Sequence, residues 1–162
     1  MITEATGLIT LIPENILEEL TERPQWVCWR YEERDGKATK VPYTPGGNKA
    51  STTDLMTWRS FEYAVREYMD HHPYHGIGFV FSSADPFCGI DLDDCRGPKS
   101  GKIAPWAKEI INRIPEGYTE VSPSGTGIHI IAEGKVRGGG MRKGHIEMYS
   151  RGRFFTITGR AL

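Results

Sequence analysis

Residues 88–94 read CGIDLDD, an apolar lead-in followed by Asp91 and Asp93 two apart. Side chains alternate along a strand, so on a strand these two carboxylates project from one face while Ile90 and Leu92 take the other. Two like charges so close repel, and a divalent cation between them removes the conflict. The spacing lacks the ligand pattern and terminal glutamate of an EF-hand. An acidic turn at a strand end is the plain alternative for an isolated Asp-x-Asp.

Three further stretches carry chemistry. In SPSGTGIHII, residues 122–131, small residues and glycines deliver the chain into a strand bearing His129. Backbone N–H groups around Gly125 and Gly127, with the hydroxyls of Ser122, Ser124 and Thr126, suit phosphate oxygens. No lysine follows the second glycine, which excludes a Walker loop. A serine-glycine turn followed by a satisfied histidine fits the same residues. In HIEMYSRGRFFTITG, Glu147 alternates with Ile146 and Met148 and so can join the aspartates. A pair of divalent ions about 3.5–4 Å apart needs such carboxylates for in-line displacement at phosphorus. Arg151 and Arg153 follow, and guanidinium geometry matches phosphate. Between these motifs lies GKVRGGGMRKGH, with Lys135, Arg137, Arg142 and Lys143 and no acid. It carries enough glycine to be mobile and could grip a nucleic-acid backbone or a triphosphate, with a flexible exposed loop as the plain alternative.

The elements that must position these residues fit one domain. The chain has 162 residues, 38% hydrophobic and 25% charged, enough for a real core and unlike a disordered composition. Its net charge of −1 leaves any polyanion to local patches. No stretch approaches the roughly 18 apolar residues that cross a bilayer, and the start has no basic leader, so a cytoplasmic protein with no membrane partner is expected. Cys28, Cys88 and Cys95 form no CxxC pair and read as small buried residues. His71, His72 and His75 in HHPYH read as a polar turn.

IPENILEELTER predicts a short amphipathic helix opened by Pro13. QWVCWRY and ATKVPYT predict a hairpin around Asp35 and Gly36. A second helix is predicted within residues 54–72, with Trp58, Phe61, Val65 and Tyr68 on one face. Short strands follow in GIGFVFS, FCGIDLD, YTEVS, GIHIIAE, HIEMYS and RFFTITG, with a helix in APWAKEIINRI. Strands and helices at these spacings predict an α+β or α/β sandwich.

The acid pair, the glycine loop with its histidine, and the glutamate followed by arginines occur in one order on successive strands. This resembles the archaeo-eukaryotic primase superfamily, in particular the primase-polymerases of phages and plasmids. GIDLD matches the hhxDxD motif with Asp91 and Asp93. SGTGIH matches the second motif with Ser124, Gly127 and His129, and Ile146 with Glu147 matches the third. The stretch from Gln25 to Trp58 and the tail YSRGRFFTITG are also similar, so the resemblance spans nearly the whole chain.

The resemblance implies an α+β, two-lobed catalytic core, residues 1–162, with a palm sheet similar to an RNA-recognition fold and flanked by helices. It implies template-directed nucleotidyl transfer on single-stranded DNA template and primer. Asp91, Asp93 and Glu147 would bind two Mg²⁺ or Mn²⁺ ions. Ser124, Gly125, Gly127, His129 and Arg153 would hold a nucleoside triphosphate, and Lys40 would touch nucleotide or template. Lys135, Arg137, Arg142 and Lys143, with aromatics such as Trp29, Tyr43 and Trp58, are the candidates for gripping DNA. A helical priming domain or a helicase would lie elsewhere in a longer, phage- or plasmid-encoded protein. The same acids could serve a metal-dependent nuclease or phosphodiesterase, and the same fold could serve a noncatalytic nucleotide- or nucleic-acid-binding module.

Overall fold

A computed structural model describes residues 9–70 and 73–162. Two antiparallel sheets form the framework, and few helices accompany them. The α+β, sheet-dominated, two-lobed core expected from the sequence is therefore present.

The first sheet has the order β2-β1-β3-β9, from β1 (Trp26–Arg34), β2 (Lys37–Tyr43), β3 (Gly76–Val80) and β9 (Phe154–Ile157). β1 and β2 meet in the predicted hairpin, where Asp35 and Gly36 both take positive φ, 50° and 73°, as a two-residue type I′ turn requires. Trp26 and Cys28 pair with Phe79 and Ile77, and Ala64 and Tyr68 of the helix α2 (Phe61–Asp70) cover that apolar face. Ser60 opens α2 by accepting a hydrogen bond from the Tyr63 N–H.

The second sheet has the order β5-β6-β4-β8-β7. Its strands are β4 (Phe87–Leu92), β5 (Tyr118–Val121), β6 (Ile128–Glu133), β7 (Gly140–Lys143) and β8 (Ile146–Tyr149). Ile90, Leu92, Ile128 and Ile130 bury one face against the helix α3 (Pro105–Asn112). Phe87 and Ile131 turn from the other face into the core of the first sheet, among Phe79, Phe81 and Phe155. Gly89 makes this closure possible: a Cβ there would lie 2.5 Å from the Phe155 ring and 2.6 Å from Phe81. The two lobes thus share one apolar seam.

Three elements differ from the sequence expectation. The helix expected at 12–23 is split into a 3₁₀ turn, Pro13–Asn15, and a single α-turn, α1 (Glu18–Thr21), because Ile16 and Leu17 are extended. Ile16 and Leu20 are buried and Leu17 packs beside them. Packing outweighs helix propensity in so short a segment. Trp58 does not lie on α2. It is extended, donates its ring N–H to the Ser51 carbonyl at 2.7 Å, and packs with Val27 and Val80 on the opposite face of the first sheet. The stretch 135–145 is not simply a loop, since β7 arises within it and pairs with β8. Strand pairing, rather than propensity, makes a strand of such glycine-rich sequence.

All three cysteines are free and buried. His71 and His72 lie outside the described residues; His75 accepts a hydrogen bond from the Tyr31 N–H through Nδ1. Among the described residues no helix is long and apolar enough to cross a membrane.

Candidate active site

One row of residues crosses all five strands of the second sheet. Glu120 pairs with His129, His129 with Asp91, Asp91 with Glu147, and Glu147 with Arg142. Directly opposed residues on neighbouring strands share a face, so all five side chains emerge on the face turned toward the first lobe. Asp91 sits at the centre of the row. His129 Nε2 stands 3.6 Å from Asp91 Oδ1, and Arg142 Nε lies 3.1 Å from Glu147 Oε1. The Tyr149 hydroxyl donates to Glu147 Oε2 at 3.0 Å.

This row opens into a cleft of about 380 Å³ whose walls include Lys40, Arg153, Tyr149 and Thr156 as well as Asp91, His129, Arg142 and Glu147. Lys40 reaches it from β2, its ammonium 5.6 Å from the Trp29 ring centroid. Arg153 lies over the Tyr149 ring at 4.8 Å. Thr156, on β9, is 3% exposed, and its hydroxyl has no hydrogen-bond partner among the described residues.

Electrostatics mark Asp91 as the strained group. Burial, then the neighbouring charges of Asp93 and Glu147, raise its carboxyl to about 6, against the pull of Lys40 and Arg142. Burial, then Lys40, lowers His129 to about 4, although the Thr156 carbonyl near Nδ1 opposes this. A neutral ring has one N–H, yet it faces two acceptors, the Thr156 carbonyl at 3.2 Å and Asp91. Burial also lowers Lys40, against Asp91 and Asp93.

No protein-family model matches this sequence. The chain is 37% identical over 150 residues to the DNA primase-polymerase of Nitratiruptor phage NrS-1, an alignment covering 88% of this chain and 20% of that protein. The chain is a homologue of a phage primase-polymerase. It spans about a fifth of that relative's length. The resemblance drawn from its ordered motifs is borne out.

Within this primase-polymerase homologue the candidate residues do not all converge. Asp91, His129, Glu147, Lys40, Arg142 and Arg153 meet in the cleft. Asp93 lies one residue past the end of β4, its N–H donating to the His145 carbonyl, close enough to raise Asp91 but with an exposed side chain. Ser124, Gly125 and Gly127 do not line the cleft. The hydroxyls of Ser122, Ser124 and Thr126 bond one another in a chain at 2.9 Å, and the Gly125 carbonyl accepts from Arg96. A Cβ on Gly127 would lie 2.9 Å from the Leu92 carbonyl, so this glycine lets the loop close on the end of β4.

The expected basic grip also divides. Lys135 turns inward, its ammonium on the Ser82 carbonyl at 2.8 Å and 3.3 Å from the buried Asp85. Lys143 pairs with Ile146 and so leaves on the α3 side of the sheet, away from Arg142. Arg137 stands exposed in the turn before β7. Trp29, Tyr43 and Trp58 are buried, although Trp58 borders a second cavity beside the cleft.

Sequence reading missed Tyr149, Thr156 and Glu120. Tyr149 was within reach, two residues beyond Glu147 and thus on its face. Thr156 interrupts an apolar run in FFTITG, a polar residue where packing alone asks for none. Glu120 is fully buried yet accepts from Tyr118 OH, Thr158 N–H and Gly159 N–H, joining β5 to the end of β9.

Proposed function

We propose that the cleft carries out template-directed nucleotidyl transfer on single-stranded DNA template and primer with nucleoside triphosphates, as a primase, a polymerase or both. The observation that supports this most is the placing of Asp91 between His129 and Glu147 in one cross-strand row.

Among the described residues no three His, Cys, Asp or Glu side chains form a ready cation cage. The donor chemistry nevertheless fits Mg²⁺ or Mn²⁺: Asp91 and Glu147 are neighbours across the sheet, Asp93 adds a third charge, and Asp91 is held near 6 by burial and then by this excess of negative charge. Asp91, Asp93 and Glu147 would hold two such ions. When bound, the ions would supply positive charge for the α-phosphate and acidify a primer 3′-hydroxyl. Lys40 and Arg153 supply fixed positive charge for the phosphates that leave. Arg142 balances Glu147 until a cation replaces it. His129 holds Asp91 in place from one side. Contact between the triphosphate and the Ser124, Gly125 and Gly127 loop rests on the motif resemblance, and would require that hydroxyl chain to open. Helical priming and helicase domains belong to this proposal as parts of a longer protein.

Primer extension and de novo priming, with Mg²⁺ or Mn²⁺, test this reading beside Asp91→Asn and Glu147→Gln. Extension by the wild type alone is expected. Wild-type degradation of DNA without nucleotides, or extension that survives in both variants, would overturn it.

A further inference from the structure

A second and larger cavity, about 620 Å³, adjoins the cleft, and Arg142, Tyr149 and Arg153 form the wall between them. Its charged lining is Arg142, Arg151 and Arg153, with no carboxylate. Among the described residues neither Arg151 nor Arg153 is ion-paired, whereas Arg142 contacts Glu147 on the cleft side. Carboxylates therefore line only the cleft, while Arg142 and Arg153 border both cavities and Arg151 belongs to the trough alone.

The trough is built rather than incidental. Arg151 donates to the Gly138 carbonyl at 3.3 Å, and a Cβ on Gly139 would collide with its side chain, so the glycine bend seats the guanidinium. Thr52, from the first lobe, donates to the Gly152 carbonyl at 3.0 Å and fixes the opposite rim. Ser82 and the Tyr149 ring add a hydroxyl and an apolar floor.

Arginines with hydroxyls and no acid recognise phosphate, while a ring beside them suits sugar or base. The trough exceeds the cleft in volume and adjoins it, so we infer that it holds the phosphodiester backbone of a single-stranded nucleic acid and delivers that strand to Asp91 and Glu147. The inference rests on the nucleotidyl-transfer reading only in treating the strand as substrate.

The test is fluorescence anisotropy of a labelled oligothymidylate across a salt series, in EDTA and without nucleotide. The wild type, Arg151→Ala and Arg151→Lys are compared after circular dichroism has shown them folded. Binding that weakens with salt is expected. Arg151→Ala should bind severalfold more weakly, with the slope of log affinity against log salt shallower by about 0.7. Arg151→Lys should keep the slope. Calorimetric titration of dGTP with Mn²⁺ should be the same in wild type and Arg151→Ala. An unchanged slope and affinity in Arg151→Ala would overturn the inference. So would weaker dGTP binding with strand binding intact, which would assign the trough to the triphosphate tail. Failure of the catalytic reading shows separately, as extension that survives Asp91→Asn while metal-free strand binding persists.

Discussion

His129 and Asp91 face each other across β6 and β4, with Nε2 3.6 Å from the carboxylate. Their shifts have opposite sign: Asp91 is raised to about 6 and His129 lowered to about 4. Between pH 4 and 6 the folded state holds a proton on Asp91 that the unfolded chain has released, so this group's contribution to stability falls as pH rises. Over nearly the same range the unfolded chain protonates the histidine that the folded state keeps neutral, so that contribution falls as pH drops. The two contributions nearly cancel.

Urea denaturation in EDTA from pH 4 to 7 checks this. Relative to wild type, Asp91→Asn should gain stability with rising pH, by up to about 1.4 kcal/mol per pH unit for one proton. His129→Gln should show the reverse slope. Parallel pH profiles in all three proteins would contradict these two shifts.

The Arg142 guanidinium occupies Glu147, the acid assigned to a cation. Arg142→Gln should therefore tighten Mn²⁺ binding about two- to fivefold in the absence of nucleotide, the range of a partly exposed ion pair. Electron paramagnetic resonance of free Mn²⁺ reads this directly, and unchanged or weaker binding would count against competition for Glu147.

Thr156 buries a hydroxyl with no partner among the described residues. Thr156→Val keeps the shape and removes a group whose burial costs about 1–3 kcal/mol. The variant should melt higher than wild type and bind dGTP with Mn²⁺ as tightly, because the hydroxyl has no exposed surface to offer a ligand. Weaker nucleotide binding would show that the site opens around this hydroxyl.

Glu120 receives its hydrogen bonds from donors only. Burial raises its carboxyl, while the bonds from Tyr118, Gly159 and Thr158 pull it back. Glu120→Gln would turn an amide N–H₂ toward those donors, at a cost of about 1–3 kcal/mol. Thermal unfolding should show the loss, and hydrogen exchange at Thr158 and Gly159 should quicken first.

Asp91, His129 and Glu147 could be read from the sequence because each alternates with apolar neighbours, and alternation assigns a face without any tertiary knowledge. Their adjacency could not. It depends on the order β6-β4-β8, which is set by long-range packing such as the closure over Gly89. Arg142 was legible as a basic residue but not as the partner of Glu147, because GKVRGGGMRKGH carries glycine where a strand is normally signalled. The short helix at 12–23 failed for the converse reason: a local periodicity was present, and tertiary contacts with Ile16 and Leu20 overrode it.

The cross-strand row also decides which changes in length the chain can absorb. A single residue added to or removed from β4, β6 or β8 would turn that strand's acid or histidine onto the α3 side, where it would meet Ile110 and Ile111 instead of its partners. The turns between strands face no such parity rule. Insertions and deletions compatible with activity should therefore collect in segments such as 97–102, leaving the spacing within each strand intact even where residue identity drifts.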